Sequence, residues 1–282
     1  MYTTLIIAQD LRTNLEDPEW VIVDCRYDLA DTNKGRDSYL DSHIPGAVFA
    51  DVHDDLSGPP LTDHGRHPMP SADHLNRLFG RLGIRPHTQV IVYDASSGAF
   101  AGRLWWLLRY MGHQAVAVLD GGWPAWQENR YPVLDGEERN PKTEYHGSPH
   151  KSWLITVDQV QGCPLLVDSR DPKRYRGEHE PIDSAAGHIP GAINHFWQEN
   201  LDASGRFKNT EELKQQFAHL FADVPSDEVV FYCGSGVTAC HNLLAIACAG
   251  MPAARLYAGS WSDWCSDPQR PIQTGNTPGV MS

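Results

Sequence analysis

Val229-Val230-Phe231-Tyr232-Cys233-Gly234-Ser235-Gly236-Val237-Thr238-Ala239 carries both the fold and the chemistry of this chain. Four apolar, strand-favouring residues end at a cysteine, and a short glycine-rich loop follows. An Ala/Leu-rich helical segment then runs from Ala239 to about Ala249. A strand–loop–helix junction of this kind aims several backbone N–H groups, and the positive end of a helix, at one side chain. Those dipoles favour thiolate over thiol, and the thiolate is the nucleophilic form. A cysteine that only fills core has no use for glycine or for the polar Ser235 and Thr238 beside it. Cys233 is therefore read as a reactive nucleophile.

The chain contains a second version of this junction. Val90-Ile91-Val92-Tyr93-Asp94 lines up with Val229-Val230-Phe231-Tyr232-Cys233, and three further stretches recur in the same order. Val21-Ile22-Val23-Asp24-Cys25-Arg26 returns as Leu165-Leu166-Val167-Asp168-Ser169-Arg170. His43-Ile44-Pro45-Gly46-Ala47 returns as His188-Ile189-Pro190-Gly191-Ala192, and Asp120-Gly121-Gly122-Trp123 as Ala258-Gly259-Ser260-Trp261. Offsets that all fall near 140 residues identify one domain duplicated.

In the first copy, stretches 21–24, 90–94 and 115–119 read as buried strands, with helices over 75–82 and 102–111. Alternating β and α elements predict an α/β fold of two tandem domains, each a mainly parallel sheet flanked by helices. Ligands of such sheets bind at the carboxyl ends of strands, where Cys233 falls. Pro, Gly, Glu and Lys dominate between Pro132 and His150, and apolar periodicity stops there. The expected layout is a first domain over 1–135, a linker over 136–150 and a second domain over 151–282. The second copy keeps the sulfur and is the catalytic one. The first carries Asp94 at the matching position and is non-catalytic, Asp94 reading as a helix cap.

Bulk composition narrows the function. Of the 282 residues, 41% are hydrophobic and 21% charged, which suits a globular protein in water. No apolar stretch approaches the roughly 18–20 residues of a spanning helix. Met1-Tyr2-Thr3-Thr4-Leu5-Ile6 has no basic stretch ahead of an apolar one, so no secretory signal is expected. A formal net charge of −13 argues against nucleic acid or an anionic membrane as partner, since both reward basic surface. A small anionic substrate stays compatible, because one local cation binds it. Six cysteines without a CxxC spacing, in so long a chain, suggest neither a disulfide scaffold nor a zinc site, and point to a reducing cytoplasm.

With these motifs in order, the chain resembles the two-domain rhodanese-type sulfurtransferases over essentially its full length. The paired Asp-x-Arg strands, both His-Ile-Pro-Gly-Ala motifs and the Cys233 loop carry the likeness. Cys-Gly-Ser-Gly-Val-Thr is most similar to the 3-mercaptopyruvate sulfurtransferase branch; relatives that prefer thiosulfate usually carry basic side chains in this loop. The resemblance implies that Cys233 takes sulfur from a small donor as a persulfide, and that a thiol (thioredoxin, glutathione or a small thiol) or cyanide removes it. No cofactor and no metal are needed. Gly234, Gly236, Val237 and Thr238 would form the substrate-facing loop.

Further roles follow from the likeness. Ser235 reaches the departing group or relays a proton to it. The family pairs that serine with a histidine from the first domain, ahead of Met/Leu-Pro, which makes His67 in Gly65-Arg66-His67-Pro68-Met69-Pro70 the candidate, against the alternative of a solvated loop histidine. The acidic partner stays unassigned: His53 stands where an aspartate is expected, with Asp51, Asp54 and Asp63 nearby. Arg174 matches the arginine that anchors a carboxylate, a task suited to the guanidinium fork. A second arginine often follows Glu-Pro in the mercaptopyruvate branch, but here Ile182 follows Glu180-Pro181. A second cation would then come from elsewhere, with Arg66 and Arg103 as candidates.

The remaining features read as framework. Asp24/Arg26 and Asp168/Arg170 are expected to pair at strand ends, the six tryptophans 105, 106, 123, 126, 261 and 264 to pack, and Cys240 and Cys248 to lie in the core. A cysteine phosphatase needs an arginine six residues past its nucleophile, and position 239 is alanine. A thiosulfate-preferring sulfurtransferase is the near alternative, and a persulfide carrier or redox sensor without a donor pocket the distant one. A metal site from Asp51, His53, Asp54, Asp63, His64 and His67 matches no defensible ligand spacing.

Overall fold

The computed structural model describes residues 1–59 and 65–277. Two compact units divide the chain: one comprises Met1–Gly58, Pro70–His150 and Ala203–Phe207, the other Pro59–Met69, Lys151–Asp202 and Lys208–Ser282. The first contains β1 (Leu5–Ile6), α1 (Ala8–Thr13), β2 (Trp20–Asp24), α2 (Lys34–Asp41), β3 (Ala47–Phe49), α3 (Ala72–Arg81), β4 (Gln89–Tyr93), α4 (Ala101–Tyr110), β5 (Val116–Leu119) and α5 (Gly122–Glu128). The second contains β6 (Leu154–Ile155), β7 (Leu165–Asp168), α6 (Pro172–Tyr175), β8 (Ala192–Asn194), α7 (Thr210–Phe221), β9 (Val229–Tyr232), α8 (Ala239–Cys248), β10 (Arg255–Tyr257) and α9 (Ser260–Trp264).

Each unit is built on a five-stranded sheet, ordered β1-β5-β4-β2-β3 in one and β6-β10-β9-β7-β8 in the other. All pairings between these strands are parallel. Parallel strands need helical crossovers, so both sheet faces are covered and the strands read as continuous apolar runs. β9 obeys this rule: Val229, Val230, Phe231 and Tyr232 are all fully buried. Burying each such side chain contributes roughly 1.5–3 kcal/mol. Helix α7 shows how the flanking layer is specified. Asn209 and Glu212 form a reciprocal capping box, and Leu213, Phe217 and Phe221 recur at helical spacing on its buried side.

The duplication holds at the level of single hydrogen bonds. Arg26 Nε bonds Asp24, and Arg170 Nε bonds Asp168. Ile44 N donates to Tyr93 Oη at 3.2 Å, and Ile189 N to Tyr232 Oη at 3.2 Å. The Arg26 guanidinium lies 4.6 Å from the Trp123 ring centre, and that of Arg170 lies 4.6 Å from Trp261. Trp123 and Trp126 pack in one unit's core, Trp261 and Trp264 in the other's. Cys240 is buried and Cys248 half-buried. Among the described residues, no helix is long and apolar enough to cross a membrane.

Candidate active site

The carboxyl end of β9 delivers Cys233 into the loop ahead of α8, and the side chain is 2% exposed. The corner between β10 and α9 pins the loop's first two residues. Cys233 N donates to Ser260 Oγ at 3.1 Å, while Trp261 N and Ser262 N donate to the carbonyls of Cys233 and Gly234 at 3.0 and 2.9 Å. Gly236 has φ +74°, and a Cβ there would lie 2.4 Å from the carbonyl oxygen of Ala258. Only glycine satisfies that turn and that approach together. Val237 is buried, and Thr238 N-caps α8 without a side-chain cap bond. Among the described residues, no acceptor is found for the N–H groups of Ser235, Val237, Thr238 and Ala239. They are unsatisfied donors in the loop that carries the sulfur, the raw material of an anion cradle.

The other copy of the loop demonstrates what such a cradle holds. Asp94 occupies the corresponding strand end in the first unit. Its carboxylate accepts from the N–H groups of Ser96, Gly98, Phe100 and Ala101 at 2.8, 2.9, 2.8 and 2.8 Å. One carboxylate thus gathers four amides of its loop and of the start of α4.

Ser235 and His67 come together: Ser235 Oγ lies 2.7 Å from His67 Nδ1, and both are 5% exposed. A solvated loop histidine is thereby excluded. His67 groups with the unit that holds Cys233, in the segment Pro59–Met69. Gly65 and Arg66 fix that segment, since a Cβ on Gly65 would meet the Gly259 carbonyl at 2.6 Å and Arg66 N donates to Ser262 Oγ at 3.1 Å. Asp51 and Asp54 belong to the first unit, where the Asp51 carboxylate accepts from the N–H groups of His53 and Asp54. Asp63 and His64 lie outside the described residues. Among those described, no three His, Cys, Asp or Glu side chains group so as to hold a metal.

Arg174, on α6, reaches the loop, and so does Arg66. A Cβ built on Gly234 would meet Arg66 Nη2 at 3.0 Å and both Arg174 Nη atoms at 3.6 Å. Two guanidinium groups therefore stand over the residue next to the nucleophile. Burial first, and then the adjacent Arg174 charge, push the Arg66 guanidinium below its ordinary value. Arg103 instead is fully buried in the first unit, its Nε 3.4 Å from the Leu56 carbonyl. Ile182 is 43% exposed.

The acids that hold these arginines carry no sequence signal of their own. Glu180 receives Arg174 through Nε and Nη2 at 3.1 and 2.7 Å, and Arg170 Nη1 at 3.2 Å. Its Oε1 also accepts the N–H groups of Ile182 and Asp183, which braces the turn. Asp183 bridges, taking Arg174 Nη2 at 3.0 Å on one oxygen and Arg66 Nη1 on the other. Behind them Asp168, despite burial working against charge, holds the Arg170 guanidinium above its ordinary value. A signal for Glu180 and Asp183 existed only in hindsight of the fold: two acids flanking Pro181-Ile182, six and nine residues beyond Arg174.

A thiol at a strand end, an amide-lined loop, a Ser–His pair and two guanidiniums bring together groups that can support nucleophilic chemistry on a small anion. A family model described as the rhodanese-like domain matches residues 7–129 and again 155–267, and the chain belongs to that family. It is similar to a probable 3-mercaptopyruvate sulfurtransferase of Pseudomonas aeruginosa, 46% identical over 96% of this chain and 98% of that one. It is also similar to a putative thiosulfate sulfurtransferase of Mycobacterium tuberculosis, 38% identical over 96% and 97%. A solved structure of the 3-mercaptopyruvate sulfurtransferase from Leishmania major superposes with a TM-score of 0.85 at 28% identity, covering 95% of this chain and 75% of that one.

Proposed function

We propose that this sulfurtransferase takes its sulfur from 3-mercaptopyruvate and carries it as a persulfide on Cys233. The Cys233 thiolate attacks the donor's sulfur, and the donor's C–S bond breaks. The bonding pair leaves as the enolate of pyruvate, which takes a proton at carbon; the donor's thiol proton balances it, leaving Cys233–S–S⁻ and pyruvate. A thiolate acceptor or cyanide then attacks the outer sulfur, the S–S bond breaks towards Cys233, and the thiolate is restored. The product is a new persulfide or thiocyanate. Thioredoxin, glutathione and small thiols all fit this second step, in the reducing cytoplasm this reading supposes.

One observation carries the reading: beside Cys233 the loop leaves amide donors without acceptors, and two guanidiniums stand over Gly234. The amides suit the sulfur anion both before and after loading, as their counterparts suit the Asp94 carboxylate. Arg174 suits the donor's carboxylate. Ser235, held by His67 at 2.7 Å, supplies the proton path to the enolate. The test loads the protein with 3-mercaptopyruvate and reads its mass. A gain of about 32 Da, one sulfur atom, on Cys233 is expected, with none on Cys233→Ser at unchanged fold. A wild-type protein that never gains the atom ends the proposal.

Thiosulfate is the second reading, favoured by the name of the Mycobacterium tuberculosis relative and by Ile182 standing where an arginine often does. Comparing kcat/KM for the two donors on one preparation separates them; a clear thiosulfate preference overturns the first.

A further inference from the structure

The arginine missing after Glu180-Pro181 leaves a chemical gap, and the fold fills it from a different segment. Arg174 spends Nε and Nη2 on Glu180 and Asp183, and Arg66 spends Nη1 on Asp183. Among the described residues, Arg174 Nη1 and Arg66 Nη2 have no partner. Both of these free edges face Gly234, at 3.6 and 3.0 Å from where its Cβ would be. The side chains remain 16% and 30% exposed, so a solute reaches them. Two like charges stay this close because Asp183, with a side chain only 4% exposed, ties them from behind.

We infer that Arg66 is the second donor-gripping guanidinium of this site, and that Asp183 is the positioning residue that converges Arg66 Nη2 and Arg174 Nη1 on a single carboxylate above Gly234. This rests on the carboxylate-donor reading of the site and goes beyond it by assigning the residue that replaces the arginine absent at Ile182. Each oxygen of the carboxylate takes one N–H from a different arginine, rather than both from one fork. The arginines 66, 170 and 174 are matched by three acids, Asp168, Glu180 and Asp183. The cluster as a whole is neutral, so it offers an incoming anion oriented donors in place of net charge. Grip of that kind depends on geometry and only weakly on ionic strength.

The experiment compares wild type with Arg66→Ala, Arg66→Lys and Asp183→Asn in three assays. The first is turnover with 3-mercaptopyruvate. The second is inhibition by pyruvate, a carboxylate that brings no sulfur. The third is discharge of the preloaded persulfide to 2-mercaptoethanol, an acceptor without a carboxylate. A hydrogen bond to a charged group is worth enough that Arg66→Ala should lower kcat/KM for the donor by about 10- to 100-fold, chiefly through KM. Pyruvate inhibition should weaken by a similar factor, while discharge should fall by a clearly smaller factor, since it uses no carboxylate grip and loses only the Arg66 charge near Cys233. Arg66→Lys keeps the charge and should recover part of the loss; Asp183→Asn should raise KM in the same direction by a smaller factor. Unchanged KM and unchanged pyruvate inhibition in Arg66→Ala remove Arg66 from the site, and an equal loss in the discharge assay makes its role structural. Either result with normal sulfur loading sinks this inference alone, whereas failure of wild type to load sulfur sinks the reading beneath it.

Discussion

Replacing Gly236 by alanine tests whether the loop's shape, and not merely its cysteine, makes the site. The new Cβ would lie 2.4 Å from the Ala258 carbonyl oxygen and 3.0 Å from that residue's carbonyl carbon and Cα. All three are backbone atoms of the segment leaving β10, so no side chain can swing aside. The loop must retreat by roughly half an ångström or more to regain contact distance, while φ +74° costs alanine about 1–2 kcal/mol. Reduced freedom of the unfolded chain returns about 0.4–1 kcal/mol of that. These two terms leave a loss of up to about 1.6 kcal/mol, and the displaced loop adds to it, which is read as a fall in Tm of a few degrees. Because the amides of Val237 and Thr238 move with the loop, kcat/KM should fall about 10- to 100-fold, in line with the cost of small misplacements at reacting centres. The assay is donor turnover alongside thermal unfolding on the same preparation. Activity within threefold of wild type, at a Tm that has fallen as expected, would refute the claim that main-chain geometry organises this site.

Ser235→Ala should lower kcat with 3-mercaptopyruvate by about 10²-fold or more, the scale of general acid catalysis, and leave turnover of thiosulfate, whose leaving group needs no protonation at carbon, nearly unchanged. Equal losses with both donors would show that Ser235 shapes the loop rather than moving a proton. Stability should also depend on pH through His113 and His188, which burial holds below the ordinary histidine value. Both are neutral in the fold and take up protons on unfolding, so their contribution is fully present above about pH 6.5 and is lost as pH falls below it. Urea titrations between pH 7.5 and 5 should show this decline, with a shallower slope in His188→Gln; a slope identical to wild type would remove His188 from the account.

What the sequence disclosed, and what it hid, follows from the range of each signal. The Cys233 loop was legible because strand, glycines and helix start sit within a few residues of one another, where local geometry is written in residue type. The duplicated framework was legible for a related reason. Asp24 and Arg26, like Asp168 and Arg170, pair two residues apart, and repetition of the pattern multiplied the evidence for it. The proposed anion grip was legible only in part. Arg174 comes with its motif, but Arg66 meets Asp183 across 117 residues of chain, and only the folded sheet brings them together. Choosing between Arg66 and Arg103 required burial, which no composition supplies: Arg103 is fully enclosed. Ile182 drew attention to what the segment lacks, while Glu180 and Asp183 on either side of it were organising the pair.

The caged carboxylate of Asp94 has a consequence for how the two halves of the gene product spend their lives. A loop in which four amide donors already bind its own carboxylate offers little to an incoming anion. Its counterpart, with a sulfur in place of the carboxylate, keeps amide donors open to an anion. On the proposed reading, the residue at one strand end, aspartate in one unit and cysteine in the other, goes with this difference in role, and the loops behind them differ too, Ala95-Ser96-Ser97-Gly98 against Gly234-Ser235-Gly236-Val237.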